Sequence, residues 1–176
     1  MSEPDRSQRR GERDRPNPAH VVADADVLVA DLLVGGDARE ALDHVRRHSW
    51  VDLVASDPLL ERTETLVARL ADPDLAADHC ERLEDERVRV EHPEGDHPAL
   101  ASAYRGNAAH LLTYDEALGS AQAGLSLQAR VSVSVRPPDA FARLFDPESL
   151  YEALAADAEN GGEGGAYPGP DRDPRA

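Results

Sequence analysis

Five short apolar runs, each followed by a helix-patterned stretch, constrain this chain more than any other feature. They are HVVA at 20–23, WVDLVA at 50–55, VRV at 88–90, AHLLT at 109–113 and VSVSVR at 131–136. Strands separated by helices cannot close as tight hairpins. They pair in parallel through right-handed crossovers. The expected fold is a three-layer α/β/α sandwich around a parallel four- to five-stranded sheet. In such open sheets ligands bind outside the carboxyl ends of the strands, so the residues just past each run carry the functional interest.

Local signals divide the rest. A helix is expected to open near Val27 and to stop at Gly35-Gly36. Asp37-Ala-Arg-Glu40 has the form of a capping box leading into ALDHVRRH. Asp57-Pro58 reads as an N-cap with proline at the first helical position. The helix after it lines up Leu59, Leu60, Thr63, Leu66, Val67 and Leu70 on one face. Asp72-Pro73 opens another helix. Asp96 is expected to cap PALASAYRG, Thr113-Tyr-Asp-Glu116 forms a second box before DEALGSAQ, and DAFARLF closes the series.

A chain of 176 residues has room for one ordinary domain, expected over 19–157. Residues 1–18 are charged and proline-marked, and 158–176 are rich in glycine and proline. Both are expected to be disordered tails. The first 18 residues hold no hydrophobic segment of the secretory type, and no apolar run approaches a membrane span. The lone Cys80 excludes an internal disulfide. A cytoplasmic protein is expected.

Acids number 35 against 19 basic residues, all of them arginine, for a net charge of −16. A lysine-free, acidic surface resembles proteins from cells that hold molar salt, where the Debye length is about 3 Å. Such acidity ordinarily argues against nucleic acid, but it says less where every surface is acidic.

Acids stand where the runs end. Asp24 and Asp26 follow the first run. Glu61, and Glu64 one turn later, open the helix after the second. Asp96 follows the third and Asp115 the fourth. In a parallel sheet all of these lie toward one edge. Converging carboxylates raise one another's pKa values, and a divalent cation removes that penalty. Mg²⁺ takes oxygen ligands and is commonly held by one or two carboxylates plus substrate phosphate. It can also activate a water for attack on phosphorus.

These residues resemble a known family. VVADADVLVADLL (21–33) is similar to the opening of PIN domains, with Asp24 at the first acid and Asp26 at a frequent Asn. DHPALASA (96–103) places Asp96, and HLLTYDEAL (110–118) places Asp115, at two further family acids. SVRPPDAFARL (134–144) resembles the terminal strand and helix. The four motifs keep family order across most of the chain. The resemblance implies an Mg²⁺- or Mn²⁺-dependent ribonuclease with a four-acid site and RNA as substrate. Asp24, Asp96 and Asp115 would supply three acids, Glu61 or Glu64 the fourth, and Asp26 a further metal contact. Ala25 stands where the family carries a hydroxyl residue, and Tyr114 where Arg is frequent. The alternative is a catalytically degenerate PIN-like module that binds RNA or a protein partner; a homodimer is a further option. His44 and His48, spaced i, i+4 without a third ligand nearby, read as a helix face rather than a zinc site.

Overall fold

The computed structural model describes residues 15–119, 133–158 and 165–175. Five strands form one all-parallel sheet: β1 (Asn17–Ala23), β2 (Asp52–Ser56), β3 (Arg87–Val90), β4 (Ala108–Leu112) and β5 (Ser134–Arg136), in the order β3-β2-β1-β4-β5. The helices are α1 (Ala25–Leu33), α2 (Gly36–Arg46), α3 (Asp57–Leu70), α4 (Pro73–Glu86), α5 (Pro98–Arg105), α6 (Glu116–Gly119), α7 (Pro138–Leu144) and α8 (Pro147–Ala158). This is the expected α/β/α sandwich. Residues 131–132 of the last apolar run, the end of DEALGSAQ and residues 1–14 lie outside the described residues.

β1 is central because both of its faces are apolar. Val21, Val22 and Ala23 are fully buried, as are Val54 on β2 and Leu111 and Leu112 on β4. Near-continuous apolar runs are what a parallel sheet covered on both faces requires. α5 lies across β2, β1 and β4, whereas α1 packs on α2 and α3, and α2 on α7. The chain advances from β1 to β2 and β3, then returns past β1 to β4. The direction therefore reverses between β1 and β4, which makes that crevice the topological switch point.

Several local expectations give way to tertiary partners. β1 starts at Asn17 rather than His20, and its register against β4 shifts between Asn17 and Val21. Pro18, which lacks a ladder donor, sits in that irregularity. α1 opens at Ala25, not Val27, because Asp24 caps it. α2 opens at Gly36, with Gly35 at φ 78 as N-cap, so Asp37 lies in the first turn and the capping box does not form. α3 is capped by Ser56, not Asp57. The Ser56 hydroxyl lies 3.0 Å from Ser102 Oγ, and Asp57 instead pairs with Arg87 and Arg89. Asp72 does cap α4, accepting from Leu75 N at 2.9 Å. His97, rather than Asp96, caps α5.

The glycine- and proline-rich end, expected to be disordered, runs along the body over 165–175. Tyr167 Oη lies 2.7 Å from His48 Nε2, Asp171 N donates to Arg47 O at 2.9 Å, and Arg82 Nη2 donates to Pro174 O at 3.2 Å. An extended segment needs no core when its polar groups find partners on the body. Tyr151 of α8 packs edge-on against Trp50, with ring centroids 5.3 Å apart. Among the described residues no helix is long and apolar enough to cross a membrane.

Gly106, between α5 and β4, has an ordinary φ of −86 but no room. A Cβ there would overlap Val54 Cγ1 and stand 3.0 Å from the Ser102 carbonyl. Val54 is stiff and wholly buried, so neither neighbour yields easily. Gly106→Ala is expected to destabilise the fold by about 1–3 kcal/mol, the ordinary cost of overpacking, as read from urea unfolding midpoints.

Candidate active site

The end of β1 and the end of β4 meet through one backbone bond, from Asp24 N to Leu112 O at 2.8 Å. Asp24 follows in extended conformation and caps α1, its Oδ1 accepting from Ala25 N at 2.7 Å. One step beyond β4, Thr113 Oγ1 lies 3.2 Å from Asp24 Oδ2 and 3.2 Å from Asp26 Oδ2. Tyr114 N donates to Asp26 Oδ2 at 2.9 Å, and Asp115 N donates to Thr113 Oγ1 at 3.0 Å.

The donor count is short. A threonine hydroxyl carries one proton, so Thr113 satisfies only one of the two carboxylates at a time. Asp26 Oδ1 is buried with no partner among the described residues. Burial, and then the charge of Asp24, push the Asp26 pKa up. Asp24 itself is only 4% exposed. Two acids thus share a half-dry crevice with more negative charge than the surrounding donors neutralise. A proton or a cation is what such a site lacks.

The other expected acids are placed differently. Asp115 is exposed, and its Oδ1 accepts from Ala117 N at 2.9 Å at the start of α6. Its backbone belongs to the Thr113 turn. Asp96 is exposed in the loop before α5 and makes no side-chain hydrogen bond or ion pair among the described residues. Glu61 lines an open cleft of about 690 Å³ on the β3 side, with Asp57, Arg89 and His92. Glu64 lies against Cys80 of α4, whose thiol pKa is raised by burial and then by the Glu64 charge. The structure therefore joins Asp24 to Asp26 through Thr113, sets Asp115 beside them, and leaves Glu61, Glu64 and Asp96 apart. Among the described residues no group of three or more His, Cys, Asp or Glu side chains is placed to hold a metal ion.

A threonine two residues before an aspartate reads as a helix cap, so the sequence around Thr113 does not mark it as the hub. The buried Ser56–Ser102 contact, in which Ser102 Oγ also accepts from Ser56 N at 3.0 Å, ties the end of β2 to α5. Nothing local in the sequence marks that pair.

The fold and this crevice define an all-parallel α/β protein with paired aspartates at its switch point. The chain belongs to DUF7384, a family of unknown function, which matches residues 15–175. No curated protein and no solved structure matches it.

The raised Asp26 pKa has a stability consequence. A carboxyl whose folded pKa exceeds its unfolded one stabilises the fold while protonated and loses that contribution as pH rises through the folded value. Asp26→Asn is therefore expected to raise the melting temperature at pH 7, in the absence of divalent cations. The gain shrinks toward zero below about pH 4, the ordinary aspartate range. A gain that does not depend on pH contradicts the assignment.

Proposed function

We propose that this protein is an Mg²⁺- or Mn²⁺-dependent endoribonuclease of PIN-like type, acting at the carboxyl edge of the sheet. The observation that carries the reading is the unneutralised Asp24–Thr113–Asp26 arrangement at the switch point, with one buried carboxylate oxygen lacking a partner. Its donors, two carboxylates and a hydroxyl, are hard oxygen ligands suited to Mg²⁺. They fit a two-carboxylate hold with waters completing the shell, not the four-carboxylate cage that the family resemblance implies. The ion would supply Lewis acidity toward a phosphodiester.

The residues divide the work. Asp24 and Asp26 hold the charge that attracts a cation, and Thr113 orients both. Asp115 and Asp96, both exposed, would meet solvent and substrate rather than each other. Arg89, exposed and ion-paired to Asp57 past the middle of β3, and Arg136, at the end of β5, are cationic groups toward this edge that could meet an RNA backbone. We place the activity in the cytoplasm of a salt-accumulating cell, where screening lets an acidic protein approach RNA.

The separation of Glu61, Glu64 and Asp96 from the pair favours a second reading, a PIN-like module that binds RNA or a protein partner without cutting it. Metal-dependent stability separates the two. For the nuclease, Mn²⁺ raises the melting temperature of the wild type but not of Asp24→Asn. Single-stranded RNA is hydrolysed at high KCl with Mn²⁺, and Asp24→Asn lowers the rate by about a hundredfold or more, at least the upper cost of losing an outer-shell metal partner. Absence of both the thermal shift and hydrolysis leaves the binding module.

A further inference from the structure

At the start of β2, the opposite end of the strands from Asp24, two adjoining cavities of about 310 and 160 Å³ open beneath the C-terminal segment. They share Arg46, Arg82 and Pro174. The larger has apolar walls from Leu42, Val45, Val51 and Leu53, and its charged lining includes Asp85, Glu86, Arg172 and Asp173. The smaller sets Arg39, Arg46, Arg82 and Arg175 against only Asp31 and Asp43. In a chain with 35 acids and 19 arginines the lining of the smaller cavity is a local reversal of charge, although Glu86 pairs with both Arg46 and Arg82 from the adjoining cavity.

Arg46 is fully engaged. Its Nη2 donates to Asp31 Oδ2 at 2.8 Å, its Nε to Glu86 Oε2 at 3.1 Å, and its Nη1 lies 4.0 Å from Asp43. The others keep free donors. Arg39 bonds through Nε and Nη2, and Arg82 likewise, which leaves Nη1 of each unengaged. The Arg175 guanidinium has no partner among the described residues. His79 lines the same cavity and is 6% exposed, yet its Nε2 is buried without a partner among those residues. Burial lowers its pKa, against a smaller raising effect of Asp31 and of the Leu28 backbone. A neutral ring protonated on Nδ1 would present Nε2 as an acceptor.

We propose that this pocket binds a phosphate dianion. Arg39, Arg82 and Arg175 surround its oxygens with N–H groups, and His79 Nε2 accepts from a hydroxyl of the ligand. That hydroxyl belongs either to hydrogen phosphate or to the sugar of a phosphate monoester. The adjoining cavity, at about 310 Å³, stands at the lower end of small-molecule sites. Its Leu42 and Val51 walls suit the organic part of a monoester.

Calorimetric titration of the full chain with inorganic phosphate and with adenosine 5′-monophosphate tests this. EDTA is present throughout, which removes cation-mediated binding at the aspartates and keeps this site separate from the proposed nuclease. The expected result is saturable one-site binding, weakened about tenfold or more in Arg175→Gln, the loss of a hydrogen bond to a charged group. Arg175 is exposed, so that variant is expected to fold. Equal or weaker affinity for the nucleotide assigns the site to free phosphate, and tighter affinity assigns it to a monoester. No saturable binding of either probe at about 1 mM, or unchanged affinity in Arg175→Gln, overturns the proposal.

Discussion

The parallel registry of β1 against β4 is the constraint on which the rest of the molecule depends. Ala23 pairs with Leu112, and Asp24, the residue after β1, closes the ladder by donating to the Leu112 carbonyl. That bond fixes Asp24 beside Thr113. A slip of one residue would turn Val21 and Val22 to the wrong faces and would also separate the aspartates from the threonine hydroxyl. Core packing and site geometry are therefore one condition. The apolar cost of misregistration holds together two carboxylates that would otherwise move apart.

Outside the sheet, ion pairs tie helices to one another beside their apolar contacts. Asp31, 3% exposed on α1, receives Arg39 and Arg46 of α2, and Arg46 continues to Glu86 of α4. Arg87, whose side chain is 3% exposed, reaches Asp57, Glu84 and the Ala55 carbonyl. Each guanidinium serves two or three oxygens at once, which a lysine ammonium does with far less directional control. Burial of such charges is tolerable because carboxylates pair with them, although Arg87 Nε finds no partner among the described residues. This accounts for the third aspartate of VVADADVLVADLL: its apolar neighbours are helix core, and its charge is paired across the layer.

The fold was legible because alternating strand and helix patterns admit few topologies. The strand order follows from two crossovers in one direction and a return. The caps were less legible. Asp37, Asp57 and Asp96 each satisfy a local capping rule, and each yields to another residue. Ser56 replaces Asp57 because Arg87 and Arg89, thirty residues on, claim the carboxylate. Glu61 and Glu64 differ by less than one helical turn, and only the packing of α3 on α4 separates the β3 cleft from Cys80. Thr113 was hidden for the same reason, since its partners lie 87 and 89 residues away. Periodicity reports which face of an element is buried, but not which distant side chain meets it.

The distribution of unbalanced charge follows from this economy of arginines. Most described guanidiniums in the interior are matched to carboxylates, so a residual field survives only where matching fails. It fails with negative sign at the carboxyl edge, where one hydroxyl serves two acids. It fails with positive sign at the amino edge, where Arg39, Arg46, Arg82 and Arg175 line one cavity with only Asp31 and Asp43. High salt flattens the long-range field of the remaining surface to a few ångströms. Short-range contacts inside partly dry crevices are screened far less, so the two ends of the sheet keep opposite chemical preferences in a molecule that is acidic almost everywhere else.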